Sequence, residues 1–155
     1  MRSEQREAVR AVYRFRCAYC GVSEIDSGAE LTIDHFQPRS RGGTDDLEKL
    51  VYCCHACNEY KGDIYQPDIV ERILHPRRDT FSQHVTERED GTLRALTPTG
   101  AFHIEQLRLN RPTLIAHRLV ERQLQAERQE LFALRRRLDE LRREEEELEE
   151  REKEL

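Results

Sequence analysis

Cys17-Ala18-Tyr19-Cys20, then Leu31-Thr32-Ile33-Asp34-His35, then Cys54-His55-Ala56-Cys57-Asn58-Glu59-Tyr60-Lys61: the reading of this stretch decides the fold. Two Cys-x-x-Cys pairs bracket an acid–histidine dipeptide, and an asparagine follows the last cysteine directly. One Cys-x-x-Cys brings two sulfurs together from a single turn. Two such knuckles supply the tetrahedral thiolate set of a structural zinc site. Cys17, Cys20, Cys54 and Cys57 are therefore the expected ligands of a structural Zn2+, and Cys53 is left as a free, buried thiol. A single pair would read equally well as a redox couple; two pairs point to metal.

Working outward, Leu31-Thr32-Ile33 is a short β-prone run that delivers Asp34-His35 at its end, and Leu50-Val51-Tyr52 is a second. Between them Pro38 to Asp46 is a loop rich in turn formers. A helix is expected from about His55, carrying Asn58 and Lys61 and stopped by Gly62. Asp34 is a hard oxygen donor, Asn58 a neutral amide oxygen and His35 a proton acceptor near neutral pH. A divalent ion with a neighbouring histidine base is the combination that hydrolyses phosphodiesters.

The segments Cys17–Gly21, Leu31–Thr44 and Cys54–Gly62 resemble the HNH endonuclease family, whose core is a ββα-metal finger. Weaker similarity runs through His75-Pro76-Arg77, His84 to Gly100 and Leu107 to Pro112, in the manner of small bacterial HNH proteins. The resemblance implies His35 as general base, and Asp34 and Asn58 as protein ligands of a catalytic Mg2+ or Mn2+. It implies DNA as substrate. One position departs from the pattern: Lys49 stands where the family's middle asparagine is expected. An ammonium cannot accept a hydrogen bond as an amide does. Arg39, Arg41 and Lys61 are candidate phosphate contacts.

The fold class expected is α+β, a zinc-stabilised ββα-metal domain of HNH or treble-clef-like type with a long C-terminal helix. Residues 1–110 would form the nuclease domain, with helices at 4–15, 67–74 and 99–109 and a hairpin over 84–97 turning at Asp90-Gly91. Residues 111–155 would form one charged helix, because no glycine or further proline follows Pro112. Leu124, Leu131 and Leu138 recur at sevens, and Val120, Leu134, Leu141, Leu148 and Leu155 fill the complementary positions, with Glu127 interrupting, as in a coiled coil. Residues 113–155 are thus the candidate surface for a protein partner or self-association.

Charged residues make up 37% of the 155-residue chain and the net charge is −5, so any contact with DNA must use a local basic patch, bound metal or a partner. No apolar run is long enough to span a bilayer, and the first residues lack a signal-peptide core. Cysteines in metal-site spacing fit a cytoplasmic protein. The competing expectation is a weakly active or inactive zinc module that binds DNA or protein inside a larger complex, with Lys49 marking a degenerate centre.

Overall fold

The computed structural model describes residues 3–153. In chain order the elements are α1 (Ser3–Val12), α2 (Glu24–Ser27), β1 (Thr32–His35), β2 (Leu50–Cys53), α3 (His55–Lys61), α4 (Phe81–His84), β3 (Val85–Glu87), β4 (Leu93–Ala95), α5 (Pro98–Gln106) and α6 (Pro112–Lys153). Two single 3-10 turns, Arg39–Arg41 and Leu47–Lys49, lie in the segment joining β1 to β2. The chain divides into two units, residues 1–117 and 118–155.

In the first unit, β1 and β2 form an antiparallel pair in which Asp34 faces Val51 and His35 faces Leu50. All four residues of β2 are buried. Leu50, Val51, Tyr52 and Cys53 join Val9 of α1, Leu31, Ile73, Leu107, Leu109 and Leu114 in one core. A strand of apolar residues buried on both faces needs cover on both, and the cysteine knuckle supplies part of it: Ala18 N donates to the Tyr52 carbonyl at 2.8 Å.

Tyr52 carries its polar end into the same core. Its hydroxyl accepts from Leu31 N at 2.8 Å and donates to the Glu24 carboxylate, which two Arg10 nitrogens clasp at 2.9 Å each. A buried hydroxyl without partners would cost about 1–3 kcal/mol; here every group is answered.

The expected helix over 4–15 ends at Val12. Arg14 and Phe15 take left-handed φ values of 53° and 59°, reversing the chain so that Cys17 enters the knuckle. The expected helix over 67–74 is absent. Ile69, Val70 and Ile73 are β-branched and the stretch is too short to nucleate by itself. It is held irregular by Leu74 N donating to His103 Nδ1 at 3.0 Å and by Arg72 paired with Asp79 at 2.6 and 2.7 Å.

The hairpin of β3 and β4 forms about Asp90-Gly91, with Gly91 at φ 79°. Its flanking α5 is capped by Thr97, whose side chain accepts from Gly100 N. In the second unit the side chains of Leu124, Leu131, Leu134, Leu138, Leu141 and Leu148 are exposed along the helix. Among the described residues, no helix is long and apolar enough to cross a membrane.

Candidate active site

The four cysteines converge. The sulfurs of Cys17, Cys20, Cys54 and Cys57 all lie within 4.8 Å of one another, and those of Cys20 and Cys54 are 3.7 Å apart. A tetrahedron with zinc–sulfur bonds of about 2.3 Å has edges of about 3.8 Å, so the spacing is that of a bound ion. Hydrogen bonds among the four thiols hold the Cys54 pKa far below its ordinary value and push Cys20 and Cys57 up. Four thiolates at this distance need a cation between them, and zinc fits the donor set.

Cys54 also N-caps α3, its sulfur accepting from Cys57 N at 3.5 Å. Arg111 places Nη2 4.0 Å from the Cys57 sulfur, a positive charge behind the cluster that the spacing of the cysteines did not reveal.

Capping by a cluster ligand sets the direction of α3, and α3 is what meets β1. Asn58 and Lys61 are three residues apart and share a helix face. Lys61 points that face at β1. Its side chain is 0% exposed, with Nζ 2.8 Å from Asp34 Oδ2. The ammonium directs hydrogen bonds to the carbonyls of His35 at 3.2 Å and Gly62 at 3.3 Å. Asp34 Oδ2 is thus close to a positive charge and yet accepts no aligned hydrogen bond.

Burial raises the Asp34 pKa and Lys61 opposes the shift. Oδ2 is buried and held against the Lys61 ammonium. The Asn58 side chain has no hydrogen-bond partner among the described residues; carboxylate and amide oxygens are donors of the kind magnesium and manganese accept. Lys61, expected to touch phosphate, is instead buried in this ion pair.

His35 lies on the other side of the strand end. Its Nε2 is 2.7 Å from Asp45 Oδ1, and Arg39 places Nε 3.2 Å from the same nitrogen while its guanidinium also pairs with Asp45. Hydrogen bonds from His35 and Arg39 lower the Asp45 pKa. With Nε2–H directed at the Asp45 carboxylate the imidazole lone pair is on Nδ1; with Nε2 accepting from Arg39 Nε the proton is on Nδ1.

Asp45 was not singled out from sequence. Its signal was only an acid in the loop after Gly42-Gly43, at an offset that needs the loop's shape to interpret. A Cβ at Gly43 would collide with the Gln37 carbonyl, so this loop closes only on glycine. Arg39 and Arg41 are exposed in the same loop, as expected, and Arg41 donates to the Tyr65 carbonyl at 3.1 Å. The Lys49 side chain turns to Asp46 at 3.4 Å. Its backbone carbonyl instead holds the end of β1, accepting from Phe36 N at 2.9 Å.

Residues 17–74 match the family model for HNH endonuclease. A CRISPR-associated endonuclease Cas9 of Corynebacterium diphtheriae is 45% identical over 49 residues, which cover 31% of this chain and 4% of that protein. The chain therefore corresponds to a small part of that curated relative. No solved structure matches. On a ββα unit of β1, β2 and α3 tied by a four-cysteine cluster that fits zinc, residues 17–74 of this chain are a domain of the HNH endonuclease family.

Proposed function

We propose that this domain hydrolyses DNA phosphodiester bonds with a hard divalent ion, Mg2+ or Mn2+, held by Asp34 and Asn58, and with His35 as general base. The observation that carries the reading is the docking of α3 on β1 through Lys61. It brings the helix that carries Asn58 against the strand that carries Asp34 and His35, with Asp34 Oδ2 2.8 Å from the Lys61 ammonium. When bound, the ion supplies charge neutralisation at the phosphate and at the departing oxygen.

The chain's own residues do the rest. His35 Nδ1 takes the proton from water as the water oxygen bonds to phosphorus and the bond to the leaving sugar oxygen breaks. Asp45 holds Nε2–H, orients the ring and favours the imidazolium that forms. Arg39 and Arg41 on the exposed loop hold the strand through sequence-independent phosphate contacts. The exposed leucines of α6 would engage a protein partner or a second copy.

The test is plasmid nicking with magnesium or manganese by zinc-loaded protein. His35→Ala should cut roughly 10²–10⁴-fold more slowly, and equal cleavage by both proteins would end the proposal. One observation favours a second reading, a binding module without catalysis: the Lys61 ammonium already stands 2.8 Å from Asp34. Titrating divalent ions into zinc-loaded protein separates the two, since the binding module takes up none beyond zinc.

A further inference from the structure

We propose that the cavity behind Phe36 is a nucleotide subsite that receives one unstacked nucleotide of the DNA strand beside the cleaved phosphate; this rests on the nuclease reading above. The cavity holds about 250 Å³. That is below the roughly 300–1,000 Å³ of pockets for drug-sized ligands, room for a single base with its sugar and phosphate at the mouth.

Its walls divide by chemistry. Phe36 and Tyr65 form an aromatic side, edge to face with centroids 6.1 Å apart. His75 packs on Phe36 at 4.4 Å, and burial lowers its pKa, so it lines the floor as a neutral ring. Among the other lining residues are three cations, Lys49, Arg72 and Arg78, and one carboxylate, Asp79, beside apolar and amide side chains. Arg72 is consumed by its bidentate pair with Asp79. Lys49 faces only the exposed Asp46 carboxylate, at 3.4 Å, and exposed pairs of this kind are weak. Arg78 makes no ion pair among the described residues. Two positive groups are therefore free to take a phosphate against an aromatic wall.

The cavity is also joined to the proposed centre. Phe36 directly follows His35, and its ring centroid is 5.9 Å from the Lys61 Nζ that touches Asp34. An aromatic face with flanking cations is the arrangement that holds splayed bases without reading their identity, and enzymes acting on strands accommodate unstacked nucleotides in such pockets. The hydrolysis itself uses neither Tyr65 nor Arg78, so the subsite can be probed apart from it.

The experiment measures binding of short labelled single strands by fluorescence anisotropy. It uses the zinc-loaded full chain without catalytic ion. Tyr65→Ala should raise Kd roughly 5- to 100-fold, Arg78→Ala should also raise it, and Tyr65→Phe should bind as wild type. Scanning one abasic residue along the strand should find a single position where wild type loses affinity and Tyr65→Ala loses nothing further. Zinc content and circular dichroism report whether each variant is folded.

The proposal is overturned if folded Tyr65→Ala and Arg78→Ala bind as wild type, if the abasic penalty is the same in Tyr65→Ala as in wild type, or if no strand binds. Cleavage is read separately. Position-dependent binding through Tyr65 by a protein that never cuts would sustain the subsite and remove the nuclease reading. Cleavage lost in His35→Ala, with binding indifferent to Tyr65, would do the opposite.

Discussion

Lys61→Met tests the reasoning where fold and chemistry meet. The ammonium is fully buried, 2.8 Å from Asp34 and bonded to two carbonyls. Methionine fills the same volume without charge, so the loss is electrostatic. Removing one partner of a buried pair leaves the other charge uncompensated, at a cost of about 3–5 kcal/mol. Asp34→Asn alone leaves the ammonium with carbonyl oxygens only and should cost less. The double variant has neither charge, so its loss should fall short of the sum of the singles by about 0.5–3 kcal/mol.

Urea denaturation of zinc-loaded protein gives all four stabilities. Single-variant losses that add within about 0.5 kcal/mol would mean that the two groups do not interact, and the account of how α3 is held on β1 would fail. A second arm tests Asp34 as a cation site. With the ammonium gone, magnesium should raise the Tm of Lys61→Met and leave that of Lys61→Met/Asp34→Asn unchanged. An equal rise in both would remove Asp34 from the ion's ligands.

Three further outcomes follow from named contacts. Cys54→Ser removes a cluster ligand and the cap of α3 together; zinc per chain should fall well below one and the helical signal should drop, whereas full zinc retention would contradict the four-sulfur cluster. His103 is buried, which pushes its pKa down to about 4. Between there and the unfolded value near 6.5 the unfolded chain binds a proton that the native state refuses, so stability falls as pH drops. The loss from pH 7 to pH 5 is about 2 kcal/mol. His103→Gln should flatten that part of the profile in matched melts, and parallel profiles would refute it. Asp45→Asn keeps the loop but removes the carboxylate at His35 Nε2. Nicking at saturating DNA should slow roughly tenfold with zinc content unchanged, and an unaltered rate would leave Asp45 outside the centre.

How much of this was legible depends on whether a feature is local. Cys-x-x-Cys spacing, the β-prone runs at 31–33 and 50–52, Gly62 as a helix stop and the Asp90-Gly91 turn all act over a few residues, and each appears where the sequence places it. The cysteines carried one long-range fact as well. A metal site demands that distant knuckles meet, so residues 17–20 and 54–57 had to be neighbours.

What stayed hidden lacks that demand. The run 67–74 has helix-like apolar spacing and an N-terminal proline, but its conformation is decided by His103 and Asp79, which no local pattern announces. Asp45 meets His35 only because a loop that closes on Gly43 folds back. Lys61 shows the limit most sharply. In sequence a lysine after the last cysteine reads as surface charge, since burying an unpaired ammonium is prohibitive. It is buried here because Asp34 is, and Asp34 tolerates burial because Lys61 is there. Such a pair is unfavourable one residue at a time and stable only together, so reading residues singly had to miss it.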